Sequence, residues 1–287
     1  MLFRSLPRAG LRREQQVKPI HGCQPGSGCC VSAGQLIARN SDPADDSPPD
    51  PARANAEGAA LRGTALLLIA KLRPVYWPWS WNRLAFARWF PERVPGLRLI
   101  KTLGSGRDGG FGLTPSASHQ GLFCLFDDLQ QAADFEQHSN LIERYRQRSD
   151  ECLTLLLQPS SARGTWDGIS LRSGAPIASH LPVAALTRAS IRPSAALAFW
   201  RHAPGAQAGL VDADGCELAI GLGEAPLLRQ ATFSLWRNAA AMDAYARTGA
   251  HEQAIRAAWR HSFFSESMFV RFTPLAMHGS WNGRWYG

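Results

Sequence analysis

From about residue 61 onward, short and nearly continuous apolar runs alternate with segments whose apolar residues recur every three or four positions. The first pattern predicts strands and the second predicts amphipathic helices. A strand over 64–72 stops at Arg73-Pro74, where proline ends pairing. A helix over about 79–90 follows, then strands over 96–104 and 120–127 joined by a glycine-rich loop from Gly104 to Gly112. A long helix over 129–148 and a strand over 151–158 complete the series. The rest repeats it, with strands over 182–190, 215–222, 230–237 and 267–273 and helices over 194–203 and 239–260.

The two series align residue by residue. A shift of 119 carries Ala65-Leu66-Leu67 onto Ala184-Ala185-Leu186, Leu72-Arg73-Pro74 onto Ile191-Arg192-Pro193, and Trp81 onto Trp200. A shift of 110 carries Phe123-Cys124-Leu125-Phe126 onto Phe233-Ser234-Leu235-Trp236. A shift of 115 carries Pro159, Gly164 and Trp166 onto Pro274, Gly279 and Trp281. Ordered matches of this kind mark an internal repeat. The predicted fold is α+β: a tandem duplication of a ferredoxin-like βαββαβ unit. The two sheets would pack face to face within one chain, as in dimeric α+β barrels, with a cavity between sheet and helices suited to a flat apolar ligand. The boundaries are 1–60 for an N-terminal extension, 61–175 for the first half and 176–287 for the second, which carries the predicted site.

Residues 1–60 have little periodicity and are rich in Gly, Pro, Ser, Ala and Asp, as in Ser41-Asp42-Pro43-Ala44-Asp45-Asp46-Ser47-Pro48-Pro49-Asp50. Such a segment buries too little apolar surface to offset its ordering entropy, so it is expected to be disordered. It holds seven basic and six acidic residues, so +7 of the total charge of +8 falls on the folded part. A basic surface favours anionic partners. The arginines are scattered rather than clustered, which argues against nucleic acid. No apolar stretch approaches the roughly 18 residues that a spanning helix needs. The six cysteines have no zinc or iron–sulfur spacing, and Cys124, Cys152 and Cys216 stand alone in strand-like runs. No Ser-His-Asp, Cys-His or paired-carboxylate arrangement is legible, so a hydrolase has no support.

The repeat also has asymmetries. His251, Ala254, Ile255, Ala258 and Trp259 share one helix face, the spacing of a core-facing stripe. The counterpart of His251 is Leu141, an ordinary core residue. His251 is thus either a histidine satisfied by a local carbonyl or a metal or haem ligand. A helix N-terminus disfavours imidazolium and so favours the neutral, ligating form. His119, at the start of a hairpin strand, and His202, at a helix end, each read as a surface or capping histidine, or else as a distal group or alternative ligand. Gly104-Ser105-Gly106-Arg107-Asp108-Gly109-Gly110-Phe111-Gly112 matches neither a P-loop nor a strand–helix GxGxxG. It reads as a flexible connection, with Arg107 available to an anionic group. Glu224 and Arg229 flank a strand end, as a surface ion pair or at a cavity mouth. Tyr76-Trp77-Pro78-Trp79-Ser80-Trp81, with Phe86, Trp89 and Phe90 and with Arg83 and Arg88 interleaved, suits a membrane interface as well as helix packing, for which the match of Trp81 to Trp200 speaks.

Gly104-Ser105-Gly106 with Gly110-Phe111, Val183-Ala184-Ala185-Leu186-Thr187-Arg188-Ala189, Phe199-Trp200, Gly221-Leu222-Gly223-Glu224 with Pro226, Gln230 to Trp236, and His251 with Ala254-Ile255-Arg256 together resemble the spheroidene monooxygenase family, over about residues 62–285. The resemblance implies a haem enzyme, with His251 as metal ligand and His119, His202, Arg229 and Arg107 as further candidate cofactor contacts. It would use dioxygen and electrons from reduced ferredoxin to convert an acyclic carotenoid to its 2-keto form. It also implies a cytoplasmic protein with peripheral contact to the inner membrane, where the substrate dissolves. Pro115-Ser116-Ala117-Ser118-His119 departs from the Pro-x-Thr-Ala form of the family, which keeps His119 in contention. A carotenoid- or lipid-binding module without catalysis, and a metal-free barrel of the antibiotic-monooxygenase type, remain alternatives.

Overall fold

A computed structural model of the protein describes residues 60–61, 63–86, 94–112, 114–201, 209–210, 212–225, 227–247 and 263–287. The N-terminal extension expected over 1–60 therefore lies, but for residue 60, outside the described residues. The strands are β1 Thr64–Leu72, β2 Leu97–Gly106, β3 Pro115–Phe126, β4 Ser149–Gly164, β5 Val183–Ile191, β6 Cys216–Ala225, β7 Arg229–Trp236, β8 Phe264–Trp281 and β9 Arg284–Tyr286. The helices are α1 Trp77–Phe86, α2 Leu129–His138, α3 Asn140–Arg148 and α4 Ala239–Ala246. Residues 196–201 form a further short helical segment.

All strand pairs are antiparallel, in the order β4-β1-β3-β2-β6-β7-β5-β8-β9, with an additional β4–β8 pairing. That pairing closes the first eight strands into an α+β barrel, and β9 extends β8 as a hairpin. Counted from each half's own first strand, the halves have the same order: β4-β1-β3-β2 and β8-β5-β7-β6. Instead of two sheets packed face to face, one continuous sheet forms. Its two seams are the Gly104–Gly223 pair between β2 and β6 and the long β4–β8 ladder.

Closure explains the apolar composition of β1. Ala65, Leu67 and Ile69 point into the barrel, against Phe123, Leu125, Leu186, Ile220, Phe233 and Phe272. Leu66, Leu68, Ala70 and Leu72 point outward, beneath Phe135, Leu141, Ile142 and Tyr145 of α2 and α3. A strand buried on both faces reads as a continuous apolar run. Asp128 caps α2 by accepting the Gln131 N–H, and Asn238, its counterpart under the 110 shift, caps α4 by accepting the Ala241 N–H.

Two helices occupy the span predicted as one over 129–148. Ser139 leaves helical geometry (ψ 124°), ends α2, and starts α3 by accepting the Leu141 N–H. The last strands far exceed the predicted 151–158 and 267–273, because β4 and β8 pair with each other as well as with β1 and β5. Past each crossing lies the same tight turn. Asp167-Gly168 and Asn282-Gly283 all have positive φ, the signature of a two-residue hairpin turn of type I′. The tryptophan before each turn, Trp166 or Trp281, is buried against the barrel core.

Gly164 and Gly279, equivalent under the 115 shift, have φ of +83° and +118°. A Cβ at Gly164 would strike the Ser267 carbonyl of β8, and one at Gly279 the Cys152 carbonyl of β4. Gly164→Ala and Gly279→Ala are each expected to cost about 1–3 kcal/mol, measured by urea unfolding. A loss below about 0.5 kcal/mol at both sites would show that the crossing does not require glycine.

Candidate functional site

The outward faces of the two halves differ in the side chains they present. In the first half, the paired residues Leu66–Cys124, Leu68–Leu122 and Ala70–Gln120 are all buried. The equivalent pairs of the second half are Ala185–Ser234, Thr187–Thr232 and Ala189–Gln230. The Leu–Leu and Leu–Cys pairs have become small or hydroxyl-bearing ones. Thr187, in the middle of β5, is exposed where Leu68 is fully buried. Beside them, β6 presents Ala219, Gly221 and Gly223 on the same face, again with almost no side chain.

The glycine-rich loop is one wall of this open floor. The Gly110 carbonyl lies against Gly106 and Gly221, where a Cβ on either would collide, and the Phe111 ring lies against Gly221. Phe111 packs with Ala219, Ala185 and Trp236, so a first-half loop contributes to the second half's outer layer. Gln120 is buried, donating to the Ser80 carbonyl (2.7 Å) and accepting from the Tyr145 hydroxyl (3.0 Å). Its counterpart Gln230 is half-buried at the edge of the floor and, among the described residues, donates to the Ala225 carbonyl at 3.4 Å. Among the described residues, the second face thus presents small, uncharged side chains with two threonines and an amide.

The sequence-predicted residues do not converge on one place. His251 and His202 lie outside the described residues. His119 shares the inward parity of Phe123 and Leu125 on β3 and is 7% exposed. Its Nδ1 is 3.1 Å from Ser116 Oγ and 3.0 Å from Ser118 Oγ, and its ring meets Trp281 edge-on at 5.8 Å. Burial, aided by Lys71, lowers its pKa and favours the neutral imidazole. Arg107 is exposed in the turn after β2. Arg229 is about half exposed, 3.8 Å from Glu224.

Glu224 belongs to an interior cluster rather than to a surface pair. Its carboxylate accepts from Arg188 (3.1 Å) and from the Trp166 indole (2.9 Å), and pairs with Lys101 (3.0 Å). Arg188, 1% exposed, also pairs with Glu266 and lies over the Trp166 ring. Burial works to raise the Glu266 pKa, but hydrogen bonds from the Gly168 N–H, Arg188 and Thr165 outweigh it, and the carboxyl titrates below its usual range. Arg188 could have been suspected from the sequence, since it replaces Ile69 under the 119 shift. Burial raises the Cys152 and Cys216 thiols to about 12 and about 11, so both stay protonated. No group of three or more His, Cys, Asp or Glu side chains is placed to hold a metal ion among the described residues.

No protein-family model matches the chain. A curated protein named spheroidene monooxygenase, from Rubrivivax gelatinosus, is 51% identical over 242 residues, covering 84% of this chain and 91% of that protein. This chain belongs to the spheroidene monooxygenase family. A second member, from Rhodobacter capsulatus, is 36% identical, with 72% of this chain and 88% of that protein covered. Among solved structures, an aldoxime dehydratase matches with a TM-score of 0.50 at 8% identity, covering 74% of this chain and 81% of that one, a likeness of fold alone. In this member of the spheroidene monooxygenase family, the open floor and His119 lie on opposite faces of the barrel wall.

Because His119 is held neutral in the fold, protonation favours the unfolded chain. Its stabilising contribution is complete above the ordinary histidine value of about 6.5 and is lost as pH falls from there through the lower folded value. Urea unfolding between about pH 7.5 and pH 5 should show stability declining, with a shallower decline in His119→Gln. Equal slopes in the two proteins would rule out this role for His119.

Proposed function

We propose that this chain is a carotenoid monooxygenase and that its substrate and cofactor occupy the open outer floor of the second half. Family membership gives the reaction class. The geometric observation behind the location is that Thr187–Thr232 and Ala185–Ser234 stand where the first half has Leu68–Leu122 and Leu66–Cys124. A long polyene needs apolar area and few charges, which this face provides. Ala189 and Gly223 put almost no side chain beside Thr187 and Thr232, so a flat group could approach the strands there, and the threonine hydroxyls can hydrogen-bond to oxygen at the reacting carbon.

The same floor suits haem, a flat and largely apolar group. We infer that His251 is its ligand. Leu141, its counterpart under the 110 shift, packs over the first sheet's outer face, and the repeat supports the assignment. Haem, when bound, would supply dioxygen activation. Arg107, Arg229 and His202 are further candidate contacts, whereas His119 faces the barrel interior, away from this floor. Two successive hydroxylations of one allylic carbon, each consuming one O2, two electrons and two protons and releasing one water, give a geminal diol. Loss of a third water leaves the 2-ketone. The electrons would come from reduced ferredoxin, an acidic partner suited to the positive charge of the folded part. The protein would work at the cytoplasmic face of the inner membrane. No helix of the described residues is long and apolar enough to cross a membrane. The matched shifts and the common strand order of the halves support an origin by tandem duplication of a ferredoxin-like unit.

The test is turnover of an acyclic carotenoid by purified protein with reduced ferredoxin and O2, followed by mass spectrometry. The Thr187→Leu/Thr232→Leu double variant restores the first half's residues and should remain folded while losing at least about tenfold in kcat/KM, roughly 1.4 kcal/mol of transition-state binding. Wild-type turnover in that variant would remove the floor from the reaction. Purified wild type is expected to show a Soret band that His251→Ala loses. Carotenoid oxidation by haem-free protein would overturn the cofactor assignment, and bound pigment without oxygen uptake would favour a binding module.

A further inference from the structure

The solvent-facing side of α1, with the turn that leads into it, is apolar. Val75, in that turn, is 74% exposed, Trp81 51% and Trp77 36%. Trp77 and Trp81 are one helical turn apart, so both rings lie on one side. The Trp77 indole N–H donates to the Leu72 carbonyl at 3.3 Å, but packing does not account for the exposure of Val75 and Trp81. The residue that anchors the helix is Trp79, whose ring meets Tyr145 edge-on at 5.0 Å and packs into the outer core of the first half. The expectation that Trp81 packs as Trp200 does is therefore corrected: Trp81 faces solvent, whereas Trp200 is half-buried and donates its indole N–H to the Leu227 carbonyl.

Cations ring the foot of this helix. Arg73 and Arg148 lie over the Tyr76 ring at 5.2 and 5.4 Å, and Arg148 also lies over Trp79 at 4.9 Å. Lys71 and Arg73 are exposed. Glu151, the cross-strand partner of Lys71, directs its carboxylate to the Gly283 N–H at 2.7 Å. Exposed tryptophans above a collar of cations match the layering of a bilayer surface, with apolar rings below anionic headgroups. On its inner side α1 carries Leu84, which lies next to Gly104 at the glycine seam. Across that seam stands Gly223 of the second half's floor. The helix therefore borders the site it would serve.

We propose that α1 is a docking face for an anionic bilayer: Val75, Trp77 and Trp81 insert among the headgroups while Lys71, Arg73 and Arg148 engage lipid phosphates. This deepens the functional reading above and rests on it only for the identity of what crosses the seam.

The full chain should be incubated with vesicles of phosphatidylglycerol and phosphatidylcholine, or of phosphatidylcholine alone, and floated on a density gradient. Wild type is expected to float with the anionic vesicles, to bind at least about fivefold more weakly to neutral ones and to lose binding with added salt. Val75→Ser/Trp81→Ser should bind anionic vesicles at least about tenfold more weakly, with unchanged thermal unfolding and undiminished oxidation of detergent-dispersed carotenoid. Three results would overturn the docking face: wild type that ignores anionic vesicles, a double variant that floats like wild type, or a dimer that Trp81→Ser dissociates, which would assign the face to a second copy. Vesicle binding is read without turnover, so an inactive protein that floats would refute the monooxygenase reading and leave docking intact.

Discussion

Everything in this molecule depends on the pairing of β4 with β8. Each half has a sheet with one strongly apolar face and two open edges, and open edges invite pairing with any other strand. Joining β4 to β8 along more than ten residue pairs, and β2 to β6 across a seam of glycines, removes those edges and encloses both inner faces in one core. The long strands, the two positive-φ glycines where the strands cross and the paired Trp-Asp-Gly and Trp-Asn-Gly turns all serve that closure.

With the inside filled by side chains, the halves differ on their outer faces. The first half seals its outer face with leucines and phenylalanines under α2 and α3, and the polar Gln120 there is satisfied by Ser80 and Tyr145. The second half gives up that packing for alanine, threonine and glycine. Removing large side chains from a sheet surface sacrifices contact area, and such a sacrifice is retained where a ligand supplies the missing contacts. The halves thus divide the work: one stabilises the barrel, the other presents an open face. A buried charge network inside the second half, centred on Arg188, sits beneath that face. Its carboxylates and cations balance, which keeps a costly interior arginine in place.

Much of the fold was legible without coordinates. Continuous apolar runs gave strands to within a few residues, because burial on two faces leaves no polar alternation to mislead. The break at Ser139 was not legible, since serine is tolerated within helices and only the local backbone decides that it caps. The lengths of β4 and β8 were hidden as well. Their outer parts, such as Gln158 to Gly164, are polar in composition, and pairing with each other rather than apolar pattern makes them strands. For the site, the shifts already aligned Leu68 with Thr187 and Leu122 with Thr232, but histidine drew attention first. The network on Arg188 drew none, since a lone arginine in a strand looks solvated.

The sequence by itself determined that the chain is a repeat, which residues form its strands and where the two halves differ, because repeats and apolar periodicity are local properties of the chain. Only the tertiary structure decided that the two sheets merge into one closed barrel, that His119 faces its interior and that Thr187 faces outward. It alone decided that Trp79 rather than Trp81 is the ring of the first helix that packs against the core. Those are questions of which face a side chain takes. A face has meaning only once distant strands such as β4 and β8 have met and fixed an inside and an outside.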